Sequence, residues 1–227
     1  MQFIKENYDE ITTQIRNKCK DLNINYESIT LIAVSKTFPS TYVDFLFRNG
    51  HYNFGENKVQ ELVQKYHELK NEKINWHLIG HLQTNKVKYI VNFVHLIHSV
   101  DSFKLAEEIQ KRTVNLNKKI NILIQVNISG ENSKSGISPS EVKNLAKNIS
   151  KLENINLQGL MTIGSLTDDR ILIRKNFKDM KNLYDELLID YTDFKYLSMG
   201  MSSDFDIALE EGANMLRIGS SIFGKRN

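Results

Sequence analysis

Short apolar runs alternate with helical patterns along the whole of this 227-residue chain. About eight runs are too short for a helix, and INILIQV is the clearest of them. Each is followed by a segment with an apolar residue every three or four positions, such as VQELVQKYHEL. Alternation of this kind requires parallel strand pairing with right-handed crossovers. In a chain near the usual length of about 250 residues, it predicts one closed (β/α)8 barrel over residues 1–227.

The alternative fold is an open, doubly wound parallel sheet. That fold usually has fewer strands, and the GxGxxG loop that marks it does not follow the first apolar run here. An additional amphipathic helix precedes the first strand, with an apolar face formed by Ile4, Tyr8, Ile11, Ile15, Cys19 and Leu22. The sequence therefore favours an α/β TIM barrel with an extra N-terminal helix.

The charge balance excludes several classes of partner. Thirty basic and 27 acidic residues leave a net charge of +3, so the surface lacks the strong positive field that binds nucleic acids or anionic membranes. No apolar stretch reaches the roughly 18 residues of a membrane span, and the N-terminus lacks the apolar region of a signal peptide. Cys19 is the single cysteine, which excludes an internal disulfide and fits a reduced, cytoplasmic setting.

Several helix ends carry residues that typically cap helices. Asp101 is predicted to cap the helix after the fourth strand, and residues 167–169 to open a long helix. Ser138 and Glu141 have the spacing of a capping box, with a proline between them. Gly212 is predicted to end the helix that precedes the last strand.

The residues that end the apolar runs are the candidates for function, because active sites of this architecture lie at the carboxyl ends of the strands. Lys36 ends the run LIAVS. At the rim of a low-dielectric barrel, burial favours the neutral amine of a lysine, which can attack an aldehyde and form a Schiff base. A solvated lysine at a strand end is an alternative that position alone leaves about equally open.

A second candidate region is the segment LRIGSSIFG around the last strand. Gly219 permits a close approach of the backbone to an anion, and Ser220 opens a short helix whose N–H groups favour a phosphate. Ser198 and Ser202, one unit earlier, are placed to add hydroxyl groups. Arg217, inside the strand, requires an acceptor, which is either an acidic side chain or a ligand atom.

An aldehyde-capturing lysine beside a phosphate site suits pyridoxal 5′-phosphate (PLP). The same pair suits a Schiff-base aldolase that acts on a sugar phosphate, and spacing alone does not separate the two. A metal site is not indicated, because His77 and His81 lack both the HExxH pattern and a nearby pair of carboxylates.

Seven segments carry a family resemblance over nearly the whole chain. In order they are LIAVSKTFP, FGENKVQE, WHLIGHLQTNK, HSVDS, VNISGENSKSGI, GLMTIG and LSMGMSSDFDIALEEGANMLRIGSSIFG. The set resembles the pyridoxal phosphate homeostasis protein family, which is similar to the N-terminal barrel domain of alanine racemase. The resemblance implies that the barrel holds PLP as an aldimine of Lys36, with Arg217 facing the pyridine nitrogen and Asn57 near the ring. It also implies phosphate contacts from Ser202, Gly219 and Ser220.

The resemblance has consequences for catalysis. An arginine donor keeps the pyridine nitrogen unprotonated, so the ring is a poor electron sink and carbanion chemistry is disfavoured. Alanine racemase has a second domain that supplies a catalytic tyrosine, whereas this chain ends at Asn227, soon after its last strand. We therefore expect a PLP carrier or regulator without dedicated catalysis. A PLP-dependent amino-acid racemase is the alternative.

The same resemblance implies a role in intracellular vitamin B6 and amino-acid balance. The expected partners are PLP and the PLP-dependent apoenzymes that would receive it, with no nucleic acid and no membrane. The chain is expected to be a monomer or a weak dimer in the cytoplasm. One departure from the family pattern is Gly164, where a proline-containing stretch is expected.

Overall fold

In the part of the chain that the structure describes, eight parallel strands follow one another in chain order around a closed barrel. The computed structural model describes residues 1–116, 118–131, 134–165 and 167–224. Strand β8 pairs with β1, with Arg217 opposite Ile32, so the sheet closes and the predicted (β/α)8 barrel is confirmed. The strands are β1 Thr30–Val34, β2 Asn53–Glu56, β3 Asn75–Leu78, β4 Leu96–Val100, β5 Ile120–Val126, β6 Ile155–Thr162, β7 Tyr196–Ser198 and β8 Met215–Ile218.

Helices connect the strands and bury one face each against the sheet. The α-helices are α1 Gln2–Asp21, α2 Ser40–Arg48, α3 Val59–Leu69, α4 Phe103–Thr113, α5 Val142–Ile149, α6 Arg170–Leu188, α7 Phe205–Glu210 and α8 Ser220–Phe223. A 3₁₀ helix, Thr84–Tyr89, links β3 to β4 in place of an α-helix. In the described part of the chain, no helix combines the length and the apolar content needed to cross a bilayer.

The predicted N-terminal helix is present as α1. Its buried side chains include Ile4, Ile11, Ile15 and Cys19, which all come from the predicted apolar face. The side-chain amide of Asn7 donates a 3.1 Å hydrogen bond to the carbonyl of Ile222 in α8. The first helix therefore packs against the elements that follow β8.

Two capping predictions are confirmed. Asp169 is the N-cap of α6, and its Oδ1 accepts hydrogen bonds from the backbone N–H groups of Ile171 and Leu172. Gly212 follows the end of α7 with a φ of +88°, a conformation that glycine adopts readily.

Two other capping predictions are wrong. The N-cap of α4 is Ser102, not Asp101, because the Ser102 Oγ accepts the hydrogen bond from the N–H of Leu105. The hydroxyl of Ser138 donates to the Glu141 carboxylate, and neither side chain accepts from the backbone at the start of its helix. A proline does occupy the first turn there, as expected, but it opens a 3₁₀ helix that precedes α5.

The core has two layers, as the barrel architecture requires. The larger layer lies between the sheet and the helices and includes the fully buried Trp76, Phe54 and Phe177. The smaller layer fills the barrel interior with Ile32, Val34, Ile79, Leu96, Leu123, Met161 and Met215. Burying one such aliphatic side chain contributes roughly 1.5–3 kcal/mol. These layers fix the strand ends from which the candidate site is built.

Candidate functional site

A cavity of about 520 Å³ opens at the carboxyl ends of the strands. Its size is within the range of roughly 300–1,000 Å³ that is usual for small-molecule sites. It brings together six of the seven predicted site residues, namely Lys36, Asn57, Ser202, Arg217, Gly219 and Ser220. The seventh, Ser198, is fully buried in β7 and does not line the cavity.

Lys36 lies two residues after the end of β1 and is half-buried at the cavity wall. The residue before it, Ser35, is fully buried. The residue after it, Thr37, has a φ of +70°, which is a costly conformation for a β-branched residue. The chain therefore turns at residues 36 and 37, immediately after the buried end of the apolar run.

Arg217 projects from β8 into the barrel interior and is 4% exposed. Its Nη1 donates a 2.7 Å hydrogen bond to the Oγ of Ser198, and its Nη2 donates a 2.8 Å bond to the carbonyl of Thr162. Burial lowers the pKa of Arg217 to about 10, and the negative charge of Asp204 opposes this shift. The group therefore stays cationic at neutral pH. Its hydrogen-bond acceptors within the described residues are a hydroxyl and a carbonyl, although the sequence analysis expected an acid or a ligand atom.

Besides Arg217, Ser198 contacts a series of buried polar side chains. Its Oγ lies 3.3 Å from the Nδ1 of His98, and the Nε2 of His98 lies 3.0 Å from the Nδ1 of His77. The Nε2 of His77 lies 3.3 Å from the Oδ1 of Asn53. Burial holds the pKa values of both histidines well below their usual range, so both are neutral at pH 7. Ser198 is thus connected to the candidate site indirectly, through its hydrogen bond to Arg217.

Ser202, Gly219 and Ser220 form the part of the cavity wall that follows β7 and β8. The Oγ of Ser202 accepts a 3.3 Å hydrogen bond from the N–H of Ser221, which ties the loop after β7 to the start of α8. The Oδ1 of Asp204 accepts a 2.6 Å bond from the N–H of Met201 and fixes the turn that carries Ser202. Backbone N–H groups and hydroxyls on this wall are the kinds of donor that bind phosphates.

Asn57 lies against Gly80 at the ends of β2 and β3. A Cβ on Gly80 would lie 2.2 Å from the carbonyl oxygen of Asn57, so only glycine permits this approach. The predicted position of Asn57 at the cavity thus depends on a glycine in the next loop, which the sequence analysis did not single out.

The structure adds cavity residues that the sequence analysis missed. Gln125 is 3% exposed, and its side-chain amide donates a 3.0 Å bond to the carbonyl of Ser135. Among the described residues no donor reaches the Gln125 Oε1. A polar residue inside the apolar run INILIQV was the available indication.

Two further basic side chains reach the cavity wall. Lys134 donates to the carboxylate of Glu131 at 2.8 Å and to the carbonyl of Gly164 at 2.7 Å. Its bond to Gly164 holds the backbone at the position where the family pattern has a proline-containing stretch. His81 also lines the cavity, with its Nδ1 3.6 Å from the Oδ2 of Asp101. Together with Lys36 and Arg217, Lys134 makes the cavity basic, which favours an anionic ligand.

The chain is similar over nearly its whole length to proteins of one family. Residues 12–227 match the family model of the alanine racemase N-terminal domain. The chain is 40% identical over 222 residues to the pyridoxal phosphate homeostasis protein of Aquifex aeolicus, and the match covers 97% of each chain. It is 38% identical to the protein of the same name from Haemophilus influenzae, over 99% of this chain and 96% of that one.

Several solved structures superpose on the fold of this chain. An unknown protein from Bifidobacterium adolescentis superposes with a TM-score of 0.93 at 32% identity, over 98% of this chain and 95% of that one. PipY of Synechococcus elongatus with PLP bound superposes with a TM-score of 0.80 at 32% identity, over 92% of this chain and all of that one. Alanine racemase of Clostridium difficile, at 16% identity and a TM-score of 0.74, shares the fold.

Proposed function

We propose, from the premise that this chain belongs to the pyridoxal phosphate homeostasis protein family, that it binds PLP in the cavity at the carboxyl ends of the strands. The single observation that carries the proposal is that one cavity joins Lys36 to Arg217 and to the Gly219–Ser220 backbone. The relative PipY has been solved with PLP bound, which supports the same ligand here.

The chemistry of the cavity fits each part of this cofactor. The aldehyde requires an amine, which Lys36 supplies, and the phosphate requires the hydroxyl and N–H donors of Ser202, Gly219 and Ser220. Val34 and Ile79 add apolar surface for the ring. The Oε1 of Gln125, buried without a donor in the described part of the chain, is an acceptor that a bound ligand can satisfy.

Lys36 would hold the cofactor covalently. In its neutral form the amine would attack the aldehyde carbon, and the loss of one water molecule would leave a carbon–nitrogen double bond, the Schiff base. Hydrolysis reverses the step and returns the free aldehyde. This reversibility suits a protein that stores a reactive carbonyl and releases it.

Arg217 would face the ring nitrogen and determine what the bound cofactor can do. Because the guanidinium remains cationic despite its burial, it donates a hydrogen bond to the nitrogen and disfavours protonation there. An unprotonated ring withdraws electrons weakly. Arg217 thus supports storage of the cofactor without dedicated catalysis.

The proposal extends to the setting in which the protein works. Reversible binding lets it pass PLP to apoenzymes and so contribute to vitamin B6 and amino-acid balance in the cytoplasm. The names of the relatives, which refer to homeostasis and not to a reaction, support this reading. We propose that it does so as a monomer or a weak dimer.

Borohydride reduction with peptide mapping tests the proposal. The purified protein with PLP is expected to show the visible absorption band of a Schiff base, and reduction is expected to fix the cofactor on Lys36. Lys36→Ala is expected to weaken retention without abolishing it, because the phosphate contacts remain. Lys58→Ala, which changes an exposed lysine just after β2, is the control and is expected to bind PLP as the unchanged protein does. A label on another lysine, or equal affinities of Lys36→Ala and the unchanged protein, would contradict the assignment.

A second experiment tests whether the protein only holds its cofactor. Incubation of the PLP-loaded protein with L-alanine, followed by chiral analysis, is expected to give no D-alanine above a PLP-only blank. Sustained D-alanine formation that disappears in Lys36→Ala would make the protein a racemase.

A further inference from the structure

A largely buried cluster of three side chains, Glu56, Glu61 and Lys65, lies next to the backbone of Lys36. The ammonium group of Lys65 in α3 is 2.6 Å from the Oε1 of Glu56 and 2.9 Å from the Oε1 of Glu61. The side chains of Glu56 and Lys65 are 0% and 4% exposed, and that of Glu61 is 21% exposed. Glu61 and Lys65 are four residues apart on one helix face.

This cluster binds the backbone on both sides of Lys36. Before Lys36, the ammonium of Lys65 donates a 2.7 Å hydrogen bond to the carbonyl of Ser35. After it, the N–H of Thr37 donates a 2.5 Å bond to the same Oε1 of Glu61 that Lys65 contacts. The hydroxyl of Ser35 also donates a 2.6 Å bond to Glu56.

The bond from Thr37 fixes an unfavourable backbone conformation. Thr37 has a φ of +70°, which a β-branched residue rarely adopts and which persists only where its surroundings impose it. The carboxylate of Glu61 is the acceptor that the structure provides for the Thr37 N–H in this conformation. A 3.1 Å bond from the N–H of Phe38 to the carbonyl of Ser35 closes the same turn. Loss of the Glu61 acceptor is therefore expected to loosen the turn and to shift the side chain of Lys36.

The desolvation of these charged groups opposes folding, so the cluster is a poor means of stabilising a core. Burying Lys65 against Glu56 removes both groups from water and partly desolvates Glu61, and apolar residues of similar volume often serve stability as well or better. Burial raises the pKa of Glu56 despite the nearby charge of Lys65, and its Oε2 has no hydrogen-bond partner among the described residues. Apolar residues in these positions could not make the two hydrogen bonds to the backbone of Ser35 and Thr37.

We propose that Glu61, held in place by Lys65, is a positioning residue that directs the amine of Lys36 into the cavity. The inference rests on the proposed function, in which this amine binds PLP. Glu61 does not line the cavity and would act on Lys36 through the backbone of Thr37.

The test compares Glu61→Ala with Glu61→Gln and Glu68→Ala. Glutamine keeps an oxygen that can accept from Thr37, so it is the conservative rescue. Glu68 is an exposed carboxylate on the same helix and serves as the matched control. Three readouts are taken for each variant: hydrogen exchange of the Thr37 amide without PLP, acylation of Lys36 by an amine-reactive ester without PLP, and borohydride trapping of PLP on Lys36.

Glu61→Ala is expected to speed exchange of the Thr37 amide and to slow trapping of PLP by about tenfold or more, since small misplacements of a reacting group have large kinetic effects. Its acylation rate at Lys36 is expected to change as well, whereas Glu61→Gln recovers most of the trapping rate and Glu68→Ala changes nothing. Unchanged trapping in Glu61→Ala overturns the inference, even if exchange speeds up. If the unchanged protein traps no PLP on Lys36, the proposed function fails, and exchange and acylation then decide the positioning role alone.

Discussion

The Nη1 of Arg217 donates a 2.7 Å hydrogen bond to the Oγ of Ser198, and both residues lie inside the barrel with almost no exposure to solvent. Arg217 is therefore oriented by a hydroxyl on the neighbouring strand and by the carbonyl of Thr162. Asp204 and Arg217 interact through their charges. Burial raises the pKa of the Asp204 carboxyl, and the positive charge of Arg217 opposes this shift. A neutral pair of acceptors leaves the positive charge of Arg217 available to the cavity.

Removing the Ser198 hydroxyl is expected to weaken both stability and the site. Ser198→Ala leaves a buried N–H of Arg217 without its acceptor, which costs about 1–3 kcal/mol. Urea unfolding is expected to record this loss, and the absorption band of bound PLP is expected to shift as Arg217 reorients. Ser140→Ala, at an exposed position, is the control and is expected to change neither. Full stability and an unshifted band in Ser198→Ala would show that this bond does not orient Arg217.

Arg217→Lys tests whether the planar guanidinium matters beyond its charge. A lysine keeps the charge but does not reproduce two fixed donors aimed at Ser198 and Thr162. The variant is expected to fold, to bind PLP more weakly by equilibrium dialysis, and to alter the absorption band. Arg48→Lys, at a side chain that is 76% exposed, is expected to leave binding unchanged. Equal affinity in Arg217→Lys and the unchanged protein would mean that charge alone suffices.

Gly80→Ala is expected to disrupt the cavity through Asn57. The added Cβ would lie 2.2 Å from a backbone oxygen, so the loop after β2 must move, at a cost of about 1–3 kcal/mol or more. Loss of PLP affinity together with a lower urea midpoint is the expected result. Gly50→Ala provides the comparison, because its φ of +89° strains alanine while nothing lies within 4 Å of the new Cβ. That variant is expected to lose stability but to keep the affinity for PLP; similar affinities in both variants would exclude the clash as the cause.

The barrel and most of the cavity residues were predictable because they depend on local pattern. Strand and helix periodicity identified the alternating units, and the rule that parallel strands present their carboxyl ends together placed Lys36, Arg217 and Gly219 in one cavity. Capping was less predictable. A polar residue next to the true cap, as with Asp101 beside Ser102, has nearly the same preference for that position.

The features that sequence reasoning missed depend on contacts between distant segments. Ser198 was expected at the cavity but points into the barrel, where it meets Arg217 and His98. The bond from Thr37 to Glu61 joins residues from two different units. Periodicity reports which face of an element is buried and does not report which polar side chain lies opposite it.

Acidification is expected to destabilise the fold through its buried histidines. Burial lowers the pKa of His51 to about 4 and holds those of His77 and His98 well below 6.5. Below pH 6.5 these histidines bind protons in the unfolded chain but stay neutral in the folded state. The free energy of unfolding therefore falls as the pH falls. Each histidine contributes about 1.4 kcal/mol per pH unit at most, and Glu56, whose pKa burial raises to about 7, opposes one of the three. The free energy of unfolding should therefore drop by up to about 3 kcal/mol per pH unit below pH 6.5.

Urea unfolding between about pH 5 and pH 6.5 measures this slope, since this window lies below the unfolded pKa of histidine and above the pKa of about 4 that His51 has in the folded state. His51→Gln removes one of them outside the cavity, where its Nε2 lies 2.8 Å from the carbonyl of Asn53. The variant is expected to flatten the slope by about 1.4 kcal/mol per pH unit, whatever its effect on the absolute stability. His67→Gln, at an exposed position on α3, is expected to leave the slope as it is. A stability that stays constant or rises on acidification over this window would mean that the buried histidines gain protons without unfolding.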